Sequence, residues 1–446
     1  MDTSRDGDAV DLGAYLAGLD HDELVALLLD AAAKDAALAH RLSLAAVEDA
    51  GDVAGLRHEV DAVLWAGGML AYGDVFEYGR DAQDLVDALA RAADGGYATE
   101  AVPIVERAIG RVVRAMEDSD DSSGTLGYLV DQLLEVHATA CRRGNPDPER
   151  LATWLIQFSL VDQDFFTVDV SAYRGVLGKR GLAVYRAEVD RREAADPFDY
   201  RVAQAAERLA VLDRDPEAVV RLFGRNLDSP HGYVRVAEAM LEIRRPDDAL
   251  EWARRGMDLP ATRQSRRLFD IAVIELERRG DTTEAIAVRR RGLSSLPDLQ
   301  SYQALRTVTQ AAGTWPAERP GTLGALKELS PRTYVEALLD DGDVDAAWAA
   351  ISPEIEADDD LMRRLAPRRA DTHPGDVVVH YRRFADRDLA GANRQAYGAC
   401  ARWLVALRDV QERAGRSSDF DDYLRLLREE NRRRPAFLDE LRRARL

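Results

Sequence analysis

The chain has few cysteines, no long apolar runs and no apolar stretch among its first ten residues. Its 446 residues include two cysteines, Cys141 and Cys400, and neither belongs to a Cys-x-x-Cys pair. A disulfide framework is therefore excluded. No uninterrupted apolar run reaches ten residues, whereas a membrane-spanning helix needs about 20. The chain opens with MDTSRDGDAV rather than with a basic start and an apolar stretch, so we expect a cytoplasmic protein.

The usual catalytic motifs are also absent. The sequence has no Gly-x-Ser-x-Gly elbow and no Gly-x-Gly-x-x-Gly turn. The segment Gly178-Lys179-Arg180 lacks the upstream glycine and the Ser or Thr of a phosphate-binding loop. No reaction is indicated by these residues, and we favour a non-enzymatic role.

Charge is distributed unevenly along the chain. The formal net charge is −20, and residues 1–140 hold 28 acidic against 9 basic residues. This asymmetry indicates either a basic partner or a strongly solvated helical domain, and the charged faces usual for exposed helices favour solvation. Nearly all basic residues are arginine, which forms bidentate pairs with carboxylates. We therefore expect many ion pairs beyond residue 140.

Helical patterns dominate, so the predicted fold class is all-α. Asp20 followed by Glu23 is typical of a capping box, and Asp147 followed by Pro148 is typical of a helix start. FFTVDV at 165–170 is predicted to be an extended connector or the entry to the next helix. The segment 313–331, rich in proline and glycine, is predicted to be a loop or hinge. Further helices are predicted at 53–66, 80–94, 99–116, 125–143, 375–388, 391–414 and 418–432.

An internal repeat follows the acidic region. ALEWARRG at 249–256 aligns with AIAVRRRG at 285–292, a period of 36 residues. Periods near 34 residues, with small residues where helices touch, are typical of tetratricopeptide-like α-solenoids. We divide the chain into an acidic helical N-terminal domain (1–195), a tetratricopeptide-like repeat solenoid (196–370) and a C-terminal helical cap (371–446).

The concave face of such a solenoid is a common binding surface. Tyr233, Glu238, Trp252 and Arg255 are candidate partner-binding residues there, although residues of these types also serve in helix packing. The alternative is that the repeats only connect the two ends of the chain.

Four stretches share a pattern with one known family. They are the acidic loop 117–124 with the helix after it, LGKRGLAVYR at 177–186, SPHGYVRVAEAMLEIRRPDDALEWARRG at 229–256, and the segment 380–446 that begins HYRRFADRD. Together they resemble the helical region of bacterial SWIM zinc finger family proteins. The zinc module of that family needs Cys-x-Cys followed by Cys-x-His, which two isolated cysteines cannot supply. The resemblance therefore implies the helical region alone.

One constellation is typical of metal binding. His137 and Cys141 are four residues apart and so share a helix face, and the acidic loop with Asp118, Asp120 and Asp121 precedes them. An imidazole, a thiolate and the Asp121 carboxylate could ligate zinc. We favour the other interpretation, a buried cysteine and a hydrogen-bonded histidine on an apolar helix face, because free cysteine is usually buried.

Three functions remain open at this point. We favour a cytoplasmic protein-interaction scaffold or adaptor that binds a protein or peptide in the solenoid face. The first alternative is a metal-dependent enzyme or sensor around His137 and Cys141. The second is a nucleic-acid-associated accessory protein, for which the basic spots at Arg363-Arg364 and Arg432 to Arg434 are the evidence, although no aromatic-interleaved basic patch accompanies them.

Overall fold

The computed structural model describes residues 12–65, 68–117 and 119–446. Residues 1–11, which include the polar opening segment, and Asp118 of the acidic loop lie outside these ranges. The chain is divided into two compact units, Met1–Leu222 and Phe223–Leu446. The predicted boundaries at residues 195 and 370 stay a prediction.

Twenty-five α-helices make up the described ranges, which contain no β-strand, so the predicted all-α fold class is confirmed. Those up to the unit boundary are α1 (Leu12–Ala17), α2 (His21–Ala32), α3 (Ala36–Asp49), α4 (Val53–Val63), α5 (Tyr72–Asp94), α6 (Ala98–Glu117), α7 (Thr125–Gly144), α8 (Pro148–Gln157), α9 (Arg174–Ala195), α10 (Tyr200–Asp213) and α11 (Pro216–Phe223). A π-helical turn (Phe158–Asp162) and a 3-10 turn (Val170–Tyr173) lie between α8 and α9.

The second unit holds the remaining helices and one 3-10 turn, Pro374–Val377. They are α12 (Pro230–Glu242), α13 (Pro246–Met257), α14 (Ser265–Arg278), α15 (Thr282–Ser295), α16 (Leu299–Ala311), α17 (Trp315–Leu329), α18 (Pro331–Asp340), α19 (Val344–Ala349), α20 (Pro353–Glu356), α21 (Asp359–Ala370), α22 (Val378–Ala390), α23 (Arg394–Arg413), α24 (Ser417–Glu430) and α25 (Pro435–Arg443).

Helix ends follow the local sequence signals. The Asp20 side chain accepts a hydrogen bond from Glu23 N, and Asp20 N donates one to the Glu23 carboxylate, which completes the predicted capping box. Asp147 caps α8 through Arg150 N, with Pro148 at its first position, as predicted. Side-chain capping satisfies amide groups that have no partner inside the helix, so these helices begin where the sequence indicates.

Helices α12 to α19 pack in chain order. Each contacts the next, and α12 also contacts α14, as α16 contacts α18. This is the arrangement of an α-solenoid, in which a helix pair buries its apolar face only against the neighbouring pairs. The two repeat glycines mark the close contacts. A Cβ at Gly256 would lie 2.5 Å from Tyr233 Cβ, and one at Gly292 would lie 3.3 Å from Phe269 Cγ.

The predicted loop or hinge at 313–331 is wrong, because residues 315–329 form α17. Pro316 lies in the first turn, where a missing N–H costs no helical hydrogen bond. Trp315, Leu323 and Leu326 are buried, and their packing outweighs the poor helix propensity of Pro320 and of two glycines. Tertiary burial therefore decided this element.

Arginine–carboxylate pairs join helices of neighbouring repeats, which confirms the predicted ion pairing. Arg267 of α14 binds Glu238 of α12 at 2.6 Å. Arg290 of α15 donates two hydrogen bonds of 2.6 Å to Glu318 of α17. Five further pairs of this kind are Arg254–Glu284, Arg266–Asp298, Arg279–Asp247, Arg291–Asp258 and Arg364–Glu336.

Asp341 is the centre of a half-buried polar cluster between α16, α17 and α18. Its carboxylate accepts hydrogen bonds from Tyr302 Oη at 2.7 Å, Arg306 Nη1 at 2.7 Å and Arg319 Nε at 2.6 Å, and its side chain is 9% exposed. Burial opposes the charged form, but the hydrogen bonds outweigh burial and lower the pKa of Asp341 below its usual value. The cluster therefore favours an ionised aspartate.

Replacing Gly256 by alanine tests the close contact between α13 and its neighbours. We expect Gly256→Ala to lower the free energy of unfolding by about 1–3 kcal/mol, because the added methyl group overlaps Tyr233 and Leu268. Gly324→Ala is the control: it lies in α17 with open space around its Cβ position, so alanine should stabilise the helix. Urea unfolding measures the free energy of unfolding of both variants. Equal changes in the two variants would show that the close contact at Gly256 does not limit the size of the side chain there.

Replacing Asp341 by asparagine tests the charged cluster. We expect Asp341→Asn to lower the free energy of unfolding by about 2 kcal/mol, since Arg306 and Arg319 would lose their shared carboxylate. Asp258→Asn removes an exposed pair with Arg291 and should leave stability close to that of the wild type. Thermal or urea unfolding of both variants measures the difference, and an equal loss would show that burial is unimportant here.

Candidate functional site

A groove of about 480 Å³ lies between α12 and α14, at the turn into α13. Its apolar surface comes from Leu241 of α12 and from Ile271 and Ile274 of α14. Ile274 is 41% exposed although it lies in the middle of a helix, whereas Ile271 is buried. Partly exposed aliphatic side chains in a concave surface are the usual setting for an apolar contact with a ligand or a peptide.

Three arginines surround this apolar surface: Arg244, Arg267 and Arg278. Arg267 is paired with Glu238, and Arg278 with the buried Glu275 at 2.6 Å. Arg244 has left-handed backbone geometry (φ 63°), is exposed, and has no ion-pair partner among the residues that the structure describes. The groove therefore carries one uncompensated positive charge, which favours an acidic ligand.

The four partner-binding residues predicted from the sequence occupy different environments. Trp252 is buried and packs on Tyr233, with ring centroids 5.9 Å apart, between α12 and α13. The Arg255 guanidinium stacks over the Trp252 ring at 4.0 Å. Glu238 is exposed and reaches the groove through its ion pair with Arg267. The structure thus brings Tyr233, Trp252 and Arg255 together as a packing cluster, and their contact with a partner stays a prediction.

Sequence analysis missed the residues that line the groove. Ile274 belongs to the run IAVIE in α14. Residues 271–273 of this run are buried and Ile274 is exposed, yet all four are apolar, so residue type does not reveal which one is exposed. Arg244 precedes Arg245 and Pro246 at a helix start, a signal that indicates a turn rather than a binding residue. Only the packing of α12 against α14 shows that these residues line a groove and do not lie in the core.

His137 and Cys141 lie in a buried polar cluster at the centre of the first unit. His137 Nδ1 is 2.9 Å from Tyr173 Oη, and His137 Nε2 is 3.5 Å from both Cys141 Sγ and Glu106 Oε1. The Trp154 ring packs on the imidazole at 4.2 Å. Helices α6, α7 and α8 and the 3-10 turn before α9 each supply part of this cluster.

The cluster is unsuited to nucleophilic chemistry. The Cys141 side chain is fully buried, and burial raises the pKa of its thiol to about 12, so the thiolate is not formed at neutral pH. Burial lowers the pKa of His137, with Glu106 opposing the shift, so the imidazole is neutral. A protonated thiol that no substrate can reach does not act as a nucleophile.

Asp121 does not join His137 and Cys141. It lies before α7, where its carboxylate accepts hydrogen bonds of 3.0 Å from Leu126 N and Gly127 N, while His137 is about 18 Å further along the helix. The predicted three-residue ligand set is therefore not assembled. Across residues 12–65, 68–117 and 119–446, no three His, Cys, Asp or Glu side chains are grouped as a metal ion would need them.

Three arginines of the basic spots that suggested nucleic-acid binding form contacts within the protein, whereas Arg432 and Arg433 are exposed. Arg363 forms two hydrogen bonds with Asp388, and Arg364 pairs with Glu336. Arg434 donates to the Leu389 carbonyl oxygen. In the part of the chain that the structure describes, no helix is both long enough and apolar enough to cross a bilayer.

Comparison with known proteins identifies no family. No protein-family model matches this sequence, and no curated protein matches it. Among solved structures, one similar chain is described as a circular tandem repeat protein with novel repeat topology and enhanced subunit contact surfaces. It is 15% identical over 91% of this chain and 94% of its own, with a TM-score of 0.16. The resemblance to the SWIM zinc finger family stays a prediction.

Acidification tests the neutral state of His137. The unfolded histidine takes up a proton near pH 6.5, whereas the folded one, with its lowered pKa, does so only at lower pH. Stability should therefore fall as the pH decreases below about 6.5, by up to about 1.4 kcal/mol per pH unit from this residue. We expect His137→Gln to flatten this dependence in urea unfolding between pH 7.5 and 5.

Tyr173→Phe is the matched control for that measurement. It removes the hydroxyl group that contacts His137 Nδ1 but keeps the imidazole buried, so stability should fall while its pH dependence remains. An unchanged pH dependence in His137→Gln would show that His137 is not the titrating group.

Proposed function

We propose that the chain is a non-enzymatic protein-interaction scaffold that binds a peptide segment of a partner protein in the groove between α12 and α14. The observation that carries the proposal is the exposed Ile274 beside the unpaired Arg244 in one groove. Apolar burial would supply affinity there, and the arginines would select a segment with carboxylates. Cytoplasmic localisation, expected from the sequence, is part of this proposal.

The helical-repeat packing supports a binding role. Stacked helix pairs form extended surfaces that remain rigid because each pair is held by its neighbours. The ion pair between Glu238 and Arg267 joins α12 to α14 at the groove, so these two helices hold the groove in one geometry. A preformed groove reduces the entropy lost on binding. Neither a metal-dependent reaction nor nucleic-acid binding has a comparable observation in its favour.

Peptide selection with the full chain tests this function. We expect displayed 12-residue peptides selected on the immobilised protein to combine Leu or Ile with Asp or Glu. Their dissociation constants, measured by fluorescence anisotropy, should rise about tenfold in Ile274→Ser and in Arg244→Asn, because each variant removes one contact of the groove. Asparagine tolerates the left-handed backbone at position 244, so that variant removes charge without added strain.

Leu426→Ser and Val379→Ser are the controls, since both residues are exposed in the same unit and neither lines the groove. They should bind the selected peptides as the wild type does. The proposal would be abandoned if selection enriched no such peptides, or if Ile274→Ser bound them with unchanged affinity.

A further inference from the structure

The first unit contains a cavity of about 290 Å³ where α3, α4 and α5 meet, between the α3–α4 turn and the α5–α6 turn. Aliphatic side chains line it: Val47 of α3, Val53 and Leu56 of α4, and Ala88 and Ala92 of α5. Leu56, Ala88 and Ala92 are buried, and the two valines are half-buried. We call this space the α3–α5 cavity. It shares no residue with the groove between α12 and α14.

Small residues leave this space open. Ala88 and Ala92 are one helical turn apart on α5, and Gly95 and Gly96 follow at the end of the helix. At these four positions the chain presents only a methyl group or a hydrogen atom to the cavity. An apolar cavity of roughly 150 Å³ is large enough to bind benzene. The α3–α5 cavity has about twice that volume, which is enough for two fused aromatic rings.

Packing holds the cavity in one shape. A Cβ at Gly55 would lie 2.8 Å from Val47 Cγ2, so α3 and α4 are in close contact beside the cavity. The Asp52 carboxylate accepts a hydrogen bond from Gly55 N at 3.1 Å and fixes the start of α4. A Cβ at Gly51 would overlap Tyr97 Oη, so the Tyr97 hydroxyl lies directly on the α3–α4 turn. The cavity is therefore formed before a ligand binds, which reduces the entropy lost on binding.

Charge and ring chemistry indicate the class of ligand. Asp52 and Arg91 are the charged residues of the lining, and their formal charges cancel, so neither an anion nor a cation is favoured. Tyr97 is 45% exposed and places an aromatic ring in the lining, where another aromatic ring would pack favourably on it. Apolar pockets with a few polar groups are the usual sites for small molecules.

Asp52 supplies a hydrogen-bond acceptor for such a molecule. An ionised carboxylate has about four acceptor sites, and Gly55 N occupies one of them. The Asp52 side chain can therefore accept a further hydrogen bond from an N–H or O–H group of a ligand.

We propose that the α3–α5 cavity binds an uncharged molecule of two fused aromatic rings that carries one N–H or O–H group. The rings lie against the aliphatic side chains and Tyr97, and the N–H or O–H group donates to Asp52. Because the lining comes from three helices and two turns, the bound molecule holds these elements together and stabilises the folded chain. This proposal does not depend on the peptide groove, whose residues lie in the other unit.

Binding of naphthol to the full chain tests this site. We expect equilibrium dialysis to give a dissociation constant on the order of 0.1 mM, within the range open to a ligand of about eleven non-hydrogen atoms. Ala92→Leu should raise this constant at least about tenfold, because the larger side chain occupies the space of the rings. Leucine is a good helix former and fills existing space, so the variant should fold, which circular dichroism checks.

Gly96→Val is a second variant that narrows the cavity from the α5–α6 turn. A Cβ at Gly96 would meet no other atom within 4 Å, so the backbone can accept a side chain there. We expect it to weaken naphthol binding as Ala92→Leu does. It decides the outcome if Ala92→Leu does not fold.

Ala62→Leu is the matched control, because Ala62 is exposed on α4 and lies outside the cavity. It should bind naphthol as the wild type does, and so should the groove variant Ile274→Ser. The naphthoate anion and the naphthylmethylammonium cation should bind at least about tenfold more weakly, since the balanced lining does not repay the desolvation of a charge. The proposal is overturned if the wild type does not bind naphthol, if the folded cavity variants bind it with unchanged affinity, or if either ion binds as tightly.

Discussion

The packing of each helix pair against its neighbours is the constraint on which the second unit depends. A single pair cannot enclose its own apolar face, so α12 to α19 are stable only as a stack. Close approach requires small residues at the contacts, which explains Gly256 and Gly292 at equivalent positions of the repeat. The same stacking places Leu241 beside Ile274 and forms the groove between α12 and α14.

Arginine–carboxylate pairs add specificity to this stacking. Apolar contacts alone tolerate small shifts between helices, whereas a bidentate pair such as Arg290 with Glu318 is satisfied in one relative position. Exposed pairs contribute little to stability, so their main effect is to fix register. Asp341 differs because it is half-buried and bound by two arginines.

Burial also decides the chemistry of the residues that invited a catalytic interpretation. His137 and Cys141 share a helix face, as their spacing predicts, and lie 3.5 Å apart. Tertiary packing then surrounds them with Tyr173, Trp154 and Glu106, which keeps the thiol protonated and the imidazole neutral. His137 Nδ1 is hydrogen-bonded to Tyr173 Oη, whereas Glu106 Oε1 is buried without a hydrogen-bond partner.

Local sequence determined the all-α fold class, the capped helix starts at Asp20 and Asp147, the 36-residue repeat and the arginine–carboxylate pairing, because each depends on neighbouring residues or on composition. Only the tertiary structure decided the rest. The segment that contains Pro320 is helical because burial of Trp315 and Leu326 against other helices outweighs its poor helix propensity. Ile274 is exposed because no helix among the described residues covers it, and Asp121 is separated from His137 by most of the length of α7. The exposure of a side chain and its distance from another one depend on residues far away in the sequence, so local sequence patterns do not predict them.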